Sequence, residues 1–571
     1  MYFLALATDY DGTLAHHGLV DAATVEAMEA FKASGRRLIL VTGRDLPDLL
    51  RVFPQVRIFD RIVAENGALI YEPATEQERC IAPPPPPEFV QALRDRNVSP
   101  LAVGRSIVAT WEPNEATVLE VIRELGLELQ IIFNKGAVMV LPAGVNKAFG
   151  LAAALQELDL SAPNVVGVGD AENDHAFLQA CGCAAAVANA LPALSDEADV
   201  RLTRDHGAGV AELMEMIVRE DGDIVAPRRH GLLVGTDRAG REVYLQPHRG
   251  SVLIAGTSGV GKSTLATALT ERMIEKSLEF CVFDPEGDYH QLENAVCVGD
   301  AKTAASEDEA LALLRTHSAN VVISTQALSP AERPEVFAKL LPQLSALRAS
   351  TGRPHWVLVD EAHHVLGAAR DNIAQVLPEK MLATIMITVH PEALAIEALN
   401  AARYVLTMGE GAAQTLLNFC RSAGIAAPDA PPPEEDEVLF FELDSDGPAR
   451  AVKAIKPKQL RDRHARKYAE GELGEDISFY FRGPANKLNL RAQNLMLFAQ
   501  IAEGVDAETW EHHRRAREYS AWFRDVIKDD ELAREGAEIE ADVRLDADES
   551  RKRILAAISR RYTAPARGHR G

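Results

Sequence analysis

Cysteine is scarce in this chain: Cys80, Cys181, Cys183, Cys281, Cys297 and Cys420 are the only ones in 571 residues, and none stands in a paired spacing. That scatter excludes a disulfide scaffold and a zinc-ribbon type of metal site, so the thiols read as reduced core residues. Long apolar runs are missing as well. The nearest, Ala176 to Leu194, is interrupted by Gln179, Gly182, Asn189 and Pro192, which predicts helix, turn and strand rather than a membrane span. The start, MYFLALATDYDGT, has no basic segment ahead of its apolar run and reads as a strand, so a cytoplasmic protein is expected. Positive charge is in deficit too. With 60 Lys and Arg against 84 Asp and Glu, the formal net charge is −24, which argues against a broadly basic nucleic-acid coat and leaves room only for a local patch.

What is present is a 47% hydrophobic, globular composition, long enough for three or four domains at about 100–200 residues each. Two seams are polar and broken by proline: Arg219 to Gly231, and the proline and acid stretch Ala427 to Glu437. They divide the chain into residues 1–225, 228–456 and 457–571. Within the first block, Ala82 to Phe89 forms a stiff polyproline hinge. The first two blocks alternate apolar strand-like runs with helical segments, an α/β pattern of parallel sheets with helices on both faces. In such sheets chemistry sits beyond the carboxyl ends of the strands.

Those ends carry a consistent set of residues in the first block. ATDYDGT offers Asp9 and Asp11, two carboxylates on one side of a strand that would repel each other without a cation between them. Thr42 ends LILVTGRD, Lys147 opens a helix in GVNKAFG, and VVGVGDAENDHAFL supplies Asp170, Asn173 and Asp174. Acids, one hydroxyl and one lysine suit transfer of a phosphoryl group to a carboxylate: Mg²⁺ to hold the acids, a nucleophilic Asp, and donors for the phosphoryl oxygens.

In that order these segments resemble the four motifs of the haloacid dehalogenase superfamily of phosphatases, and AENGALIY (Ala64 to Tyr71) matches the subfamily whose cap lies between the second and third motifs. The resemblance implies a Rossmann-like core in which Asp9 attacks phosphorus, while Asp11 protonates the leaving oxygen and then activates water. It further implies that Asp170 completes a Mg²⁺ site with Asp9 and the carbonyl of Asp11, with Asn173 and Asp174 orienting metal waters and Lys147. Thr42 and Lys147 would bind phosphoryl oxygens, and Gly12 would let the chain turn sharply; Arg44 and Asn66 are candidates for substrate contact, with structural packing as the alternative reading. The segment from about Pro84 to Gly144 reads as a small α+β cap over the site. Family caps of this kind usually accept sugar phosphates or small phosphorylated metabolites; at about 60 residues, this one leaves a nucleic-acid end as the alternative substrate.

In the second block, SVLIAGTSGVGKSTL places Gly256, Gly261, Lys262 and Ser263 in the phosphate-binding pattern G-x-x-x-x-G-K-[ST] between a strand and a helix. Its amides cradle the phosphates of ATP, with Gly259 and Thr264 in the same loop, Lys262 meets the outer phosphates and Ser263 ligates Mg²⁺. PHWVLVDEAHH ends in Asp360, suited to a Mg²⁺ contact, and Glu361, placed to polarise water for hydrolysis. His390, after IMITV, is a candidate γ-phosphate sensor. With CVFDPEGDY, these segments resemble the HerA-like ATPases, relatives of the FtsK-type translocases, which implies a homo-oligomer, often a hexameric ring. No basic pore-loop cluster stands out, so DNA translocation is not supported. Two alternatives remain open: a kinase and phosphatase fusion, which Glu361 disfavours, and an ATP-gated assembly module that senses a phosphorylated ligand.

The third block is expected to be a helical accessory domain. Leu495, Leu497, Phe498 and Ile501, then Tyr519, Trp522, Phe523 and Ile527, form apolar stripes at helical spacing. Its basic residues, Arg482, Lys487, Arg491, His512, His513, Arg514 and Arg515, suit either a solvated face or, less readily, an anion platform.

Overall fold

The apolar runs become strands covered on both faces, as near-continuous Val, Ile, Leu and Ala sequences require. The computed structural model describes residues 1–257, 259–290, 292, 294–368, 377, 381–434, 436–445, 447–458, 478–527 and 529–562. In the first block the strands are β1 (Ala5–Thr8), β2 (Arg37–Val41), β3 (Arg61–Ala64), β4 (Leu69–Glu72) and β5 (Gln77–Cys80). The cap follows with β6 (Ala102–Val103), β7 (Val108–Trp111), β8 (Leu129–Asn134) and β9 (Ala137–Pro142). The chain then returns to the core for β10 (Val165–Gly169), β11 (Cys183–Ala186) and β12 (Val200–Arg201). The core sheet has the order β12-β11-β10-β1-β2-β3-β4-β5, parallel from β12 to β3 and closed by an antiparallel edge at β4 and β5. The cap is a four-stranded antiparallel sheet, β6-β7-β9-β8. Helices Pro87–Asp95 and Glu115–Leu125 bury Phe89, Leu93, Val118 and Val121 with Val108 and Val140.

The second block carries β13 (Leu232–Asp237), β14 (Glu242–Leu245), β15 (Ser251–Gly256), β16 (Phe280–Asp284), β17 (Ala295–Val298) and β18 (Asn320–Ser324). It continues with β19 (Trp356–Val359), β20 (Thr384–Thr388), β21 (Ala402–Met408), β22 (Glu437–Glu442) and β23 (Arg450–Ala454). They build one eleven-stranded sheet, β14-β13-β23-β22-β21-β15-β20-β19-β16-β18-β17. It is parallel from β21 to β17 and antiparallel at the other edge. Apolar layers cover both faces, one around Leu253, Phe283 and Phe337, the other around Ile254, Leu269 and Trp356.

Met1–Ile455 is one compact unit and Lys456–Gly571 a second. Within the first unit the two blocks meet at a polar joint placed before β10 and before β19. Ser161 Oγ lies 3.0 Å from His355 Nε2, and the backbone N–H of Glu279 donates to His355 Nδ1 at 2.8 Å. Because Nδ1 accepts, the neutral ring carries its proton on Nε2 and donates it to Ser161. Arg353, with a side chain 0% exposed, pairs with Asp159 and lies 3.7 Å from Glu279. Gly352 has φ +83°, and a methyl added there would stand 2.1 Å from Asn164 Oδ1. Asn164 in turn donates to the carbonyl of Tyr2, whose ring lies 4.9 Å from that of His230.

The second unit is a short hairpin, β24 (Phe479–Phe481) and β25 (Leu490–Ala492), with helices Leu495–Gly504, Ala507–Arg515, Glu518–Asp525, Asp530–Ala541 and Ala547–Tyr562. Leu495, Phe498, Tyr519, Trp522, Phe523 and Ile527 are buried together, each contributing about 1.5–3 kcal/mol. The anion-platform reading is corrected at two residues. His513 is buried and accepts the N–H of Arg482 through Nε2, and Arg514 is buried and donates to the carbonyl of Leu545. Cys80 is a correction as well: it is exposed on edge strand β5, while Cys181, Cys183, Cys281 and Cys420 are buried. Ala176 to Leu194 does resolve into helix His175–Ala180, β11 and a turn into helix Pro192–Glu197. Among the described residues no helix is long and apolar enough to cross a membrane.

Candidate active sites

The first site forms where β1 and β10 end side by side. Asp9 continues β1, its N–H donating to the carbonyl of Val168, and the chain then turns at Gly12 with φ +88°. Only glycine fits that turn, since a methyl group there would lie 2.3 Å from Asp170 Oδ2. Asn146 caps helix Lys147–Glu157 by accepting the N–H of Phe149, which fixes Lys147 as the first helical residue. Its Nζ reaches Asp9 Oδ1 at 2.5 Å and also bonds Asp174. Asp174 Oδ2 accepts the N–H groups of Asp170 and Ala171, holding the turn after β10 in place. Carboxylate oxygens of Asp9, Asp170 and Asp174 all lie within 4.8 Å of one another.

Burial, then repulsion from Asp174, pushes Asp9 above the usual carboxylate range, and Lys147 opposes this. Burial likewise raises Asp170. Burial works against the charge of Lys147, yet Asp174 and Asp9 hold it above its ordinary value. The three clustered acids outnumber the two ammonium groups that reach them, Lys147 and Lys135, an imbalance a divalent cation would satisfy. The buried Oδ1 of Asn173 has no hydrogen-bond partner, as suits a group waiting for a metal-bound water. The donor set therefore fits the metal.

Thr42 is buried and its Oγ1 accepts the N–H of Arg44. Arg44 is taken up by acids of the chain itself: it grips both oxygens of Asp11, at 2.6 and 2.7 Å, and also bonds Asp48. Asn66 accepts from Asn173 Nδ2 at 3.1 Å, and the two line a cleft of about 340 Å³ with Ile132, Asn146, Glu172 and His175. Two further contacts escaped the sequence reading. Glu65, buried at the end of β3, accepts the backbone N–H groups of Arg105, Ser106 and Ile107, fastening the cap. Lys135, on the β8–β9 turn of the cap, lies 2.5 Å from Asp170 Oδ2. A Lys-Gly pair between two apolar runs was the available signal for the second.

At the other site, Gly259 and Gly261 take φ of +82° and +96°, and the loop leads into helix Lys262–Glu275, with Ser263 and Thr264 in its half-buried first turn. Lys262 Nζ donates to the carbonyls of Gly256 and Thr257, both at 2.9 Å. Asp360 and Glu361 follow β19. Burial lifts Asp360 to about 8, and burial followed by Glu286 raises Glu361. Glu361 is left-handed at φ 43°, with a buried Oε2 that has no hydrogen-bond partner and stands 3.4 Å from His363 Nδ1. His390, beyond β20, is exposed, bonds Glu392, and lies edge-on to His363 at 5.8 Å. Asp284, at the end of β16, accepts the N–H groups of Gly287, Asp288 and Tyr289 and so shapes the neighbouring loop.

A Rossmann-like sheet with a small inserted cap, and buried acids at its strand ends bridged by a lysine, defines the class of phosphoryl-transfer hydrolases. The N-terminal part of the chain belongs to the haloacid dehalogenase-like hydrolases, whose family profile matches residues 6–117 and 107–214. The profile of the helicase HerA central domain matches residues 231–356, so the chain also carries a HerA-type ATPase region. A phosphoglycolate phosphatase of Methanothermobacter thermautotrophicus is 30% identical over 224 residues, spanning 36% of this chain and 96% of that protein. Phosphoglycolate phosphatase 2 of Saccharolobus solfataricus is 27% identical over 38% of this chain and 92% of its own length. A solved haloacid dehalogenase-like hydrolase from Bacteroides thetaiotaomicron aligns with a TM-score of 0.34 at 18% identity, over 38% of this chain and 99% of that one.

Proposed function

We propose that residues 1–225 are a Mg²⁺-dependent phosphohydrolase for a small phosphorylated metabolite, acting through an aspartyl phosphate on Asp9 and joined to a domain that hydrolyses ATP. The observation that carries this is the buried set Asp9, Asp170 and Asp174 with Lys147 bonded across it. Lys147 holds Asp9 Oδ1, which leaves Oδ2 to attack phosphorus. Thr42 and Lys147 meet the phosphoryl oxygens. Asp11, oriented by Arg44, gives a proton to the leaving oxygen and later takes one from the hydrolytic water. Asp9, Asp170 and the carbonyl of Asp11 would hold Mg²⁺, which offsets charge developing on the transferred group.

The curated relatives named above support a small substrate, and a panel of phosphoglycolate, sugar phosphates and phosphorylated oligonucleotides tests it. Asp9→Asn should lower phosphate release on the order of 10⁴-fold or more, and chelation of Mg²⁺ should abolish it reversibly. Undiminished turnover in the variant would reject Asp9 as nucleophile. For the second domain we infer binding of Mg²⁺-ATP by Gly256, Lys262 and Ser263, with Glu361 directing hydrolysis over transfer, in a homo-oligomer that is a ring of six.

A further inference from the structure

The β8–β9 hairpin turns on Lys135 and Gly136 alone, because Asn134 pairs with Ala137 across the ladder. Both turn residues have positive φ, 50° and 86°, the mirror-image turn that suits two twisted strands and favours Asn-Gly. A lysine in the first position holds a left-handed conformation that L side chains adopt at a cost, and such strain gathers at functional sites.

The turn delivers that lysine over the acids. Its Nζ lies 2.5 Å from Asp170 Oδ2 with its side chain 48% exposed, and a methyl on Gly12 would stand 2.6 Å from it. Lys147 makes the contrast: its side chain is 1% exposed and bonded to Asp9 and Asp174 inside the core. Lys135 has one carboxylate contact and keeps donors turned to the open side of the site. Among the described residues no other cap side chain is bonded to an acid of this site. A bound monoester presents its phosphoryl end to the core acids, so its alcohol half faces the cap.

We propose that Lys135 is a specificity-determining residue, whose ammonium binds a carboxylate on the alcohol half of the substrate. The site then prefers phosphomonoesters of hydroxy acids to those of neutral alcohols. This rests on the reading of residues 1–225 as a phosphohydrolase, and it adds a second anion to the chemistry that site recognises.

The test uses the full chain with Mg²⁺, titrated calorimetrically with phosphonoacetate and with methylphosphonate. The parent should bind phosphonoacetate about 10- to 100-fold more tightly than methylphosphonate, as a charge-assisted hydrogen bond implies. Lys135→Met should erase that ratio, and Lys135→Arg should keep part of it. In turnover, Lys135→Met should raise KM for 2-phosphoglycolate at least about tenfold more than KM for p-nitrophenyl phosphate. A binding ratio unchanged in Lys135→Met, or equal loss of both phosphonates, would overturn the assignment. If the parent hydrolyses neither ester yet shows a phosphonoacetate preference that Lys135→Met removes, the phosphohydrolase reading falls and Lys135 stands as the anion reader.

Discussion

Glu361 holds a left-handed backbone and a buried, unbonded carboxylate oxygen beside the phosphate loop. Non-glycine residues keep such a conformation where the surrounding structure imposes it, at a cost of about 1–3 kcal/mol. Burial raises its pKa, which brings a carboxylate closer to accepting a proton from water near neutrality. Glu361→Gln should therefore bind ATP with little change and lose at least about 100-fold in ATP hydrolysis, whereas Lys262→Ala should lose binding too. Nucleotide binding by calorimetry together with phosphate release separates the two; equal hydrolysis by Glu361→Gln and parent would remove Glu361 from the reaction. Residues of this kind were legible in the sequence, because an acid directly after an apolar strand and a glycine-rich turn before a helix are local signals. What a local signal could not give is who holds whom. Arg44 stands two residues from Thr42 in the chain, a position open to substrate contact or to packing, and it grips Asp11, 33 residues away.

At the level of elements, one carboxylate of the core fastens the β6–β7 turn of the cap. Glu65 at the end of β3 accepts three backbone N–H groups at the β6–β7 turn, at 2.9, 2.8 and 3.2 Å. Glutamine offers one acceptor oxygen and turns an NH₂ toward donors, so Glu65→Gln leaves buried donors unmet at a cost of about 1–3 kcal/mol. The amides of Arg105, Ser106 and Ile107 should then exchange with solvent faster while those of β1 and β10 keep their protection, as mass-resolved hydrogen exchange would record. Uniform protection in the variant would show that the turn is held by packing instead. The alternation of strands and helices, the cap near residues 84–144 and the apolar stripes of the last helices could all be read from periodicity. The clamp could not, since it joins residues about 40 apart through backbone groups that no side-chain pattern announces.

For the whole molecule, the joint between the two sheets adds a dependence on pH. Burial, and after it Arg348 and Arg353, pushes His355 down from 6.5 to about 3; burial and Arg229 do the same to His230. The unfolded chain thus takes up a proton near pH 6.5 that the folded joint refuses. The stability these histidines contribute is full above that value and falls as pH drops, by at most about 1.4 kcal/mol per unit and per histidine until about pH 3. Between pH 7 and pH 5, His355→Gln should therefore lose less stability than the parent in denaturant unfolding, by roughly half of the histidine share. An identical slope in the two proteins would exonerate His355. No stretch of sequence hinted at this joint: Ser161 and His355 are 194 positions apart, each unremarked within its own segment.

Arg353 and Gly352 carry one more implication, about ancestry. Two enzymes merely strung together by a linker would each keep a surface fit for water, and either could be lent to another chain. Here an arginine with no exposure is neutralised by an aspartate of the other block, and a glycine has lost the room for even a methyl group. The outer skin of each block has become interior to the pair. A gene encoding residues 228–456 alone would uncover Arg353 without Asp159, keeping only Glu279 of its own block, and would lay bare the surface that packs Gly352 against Asn164.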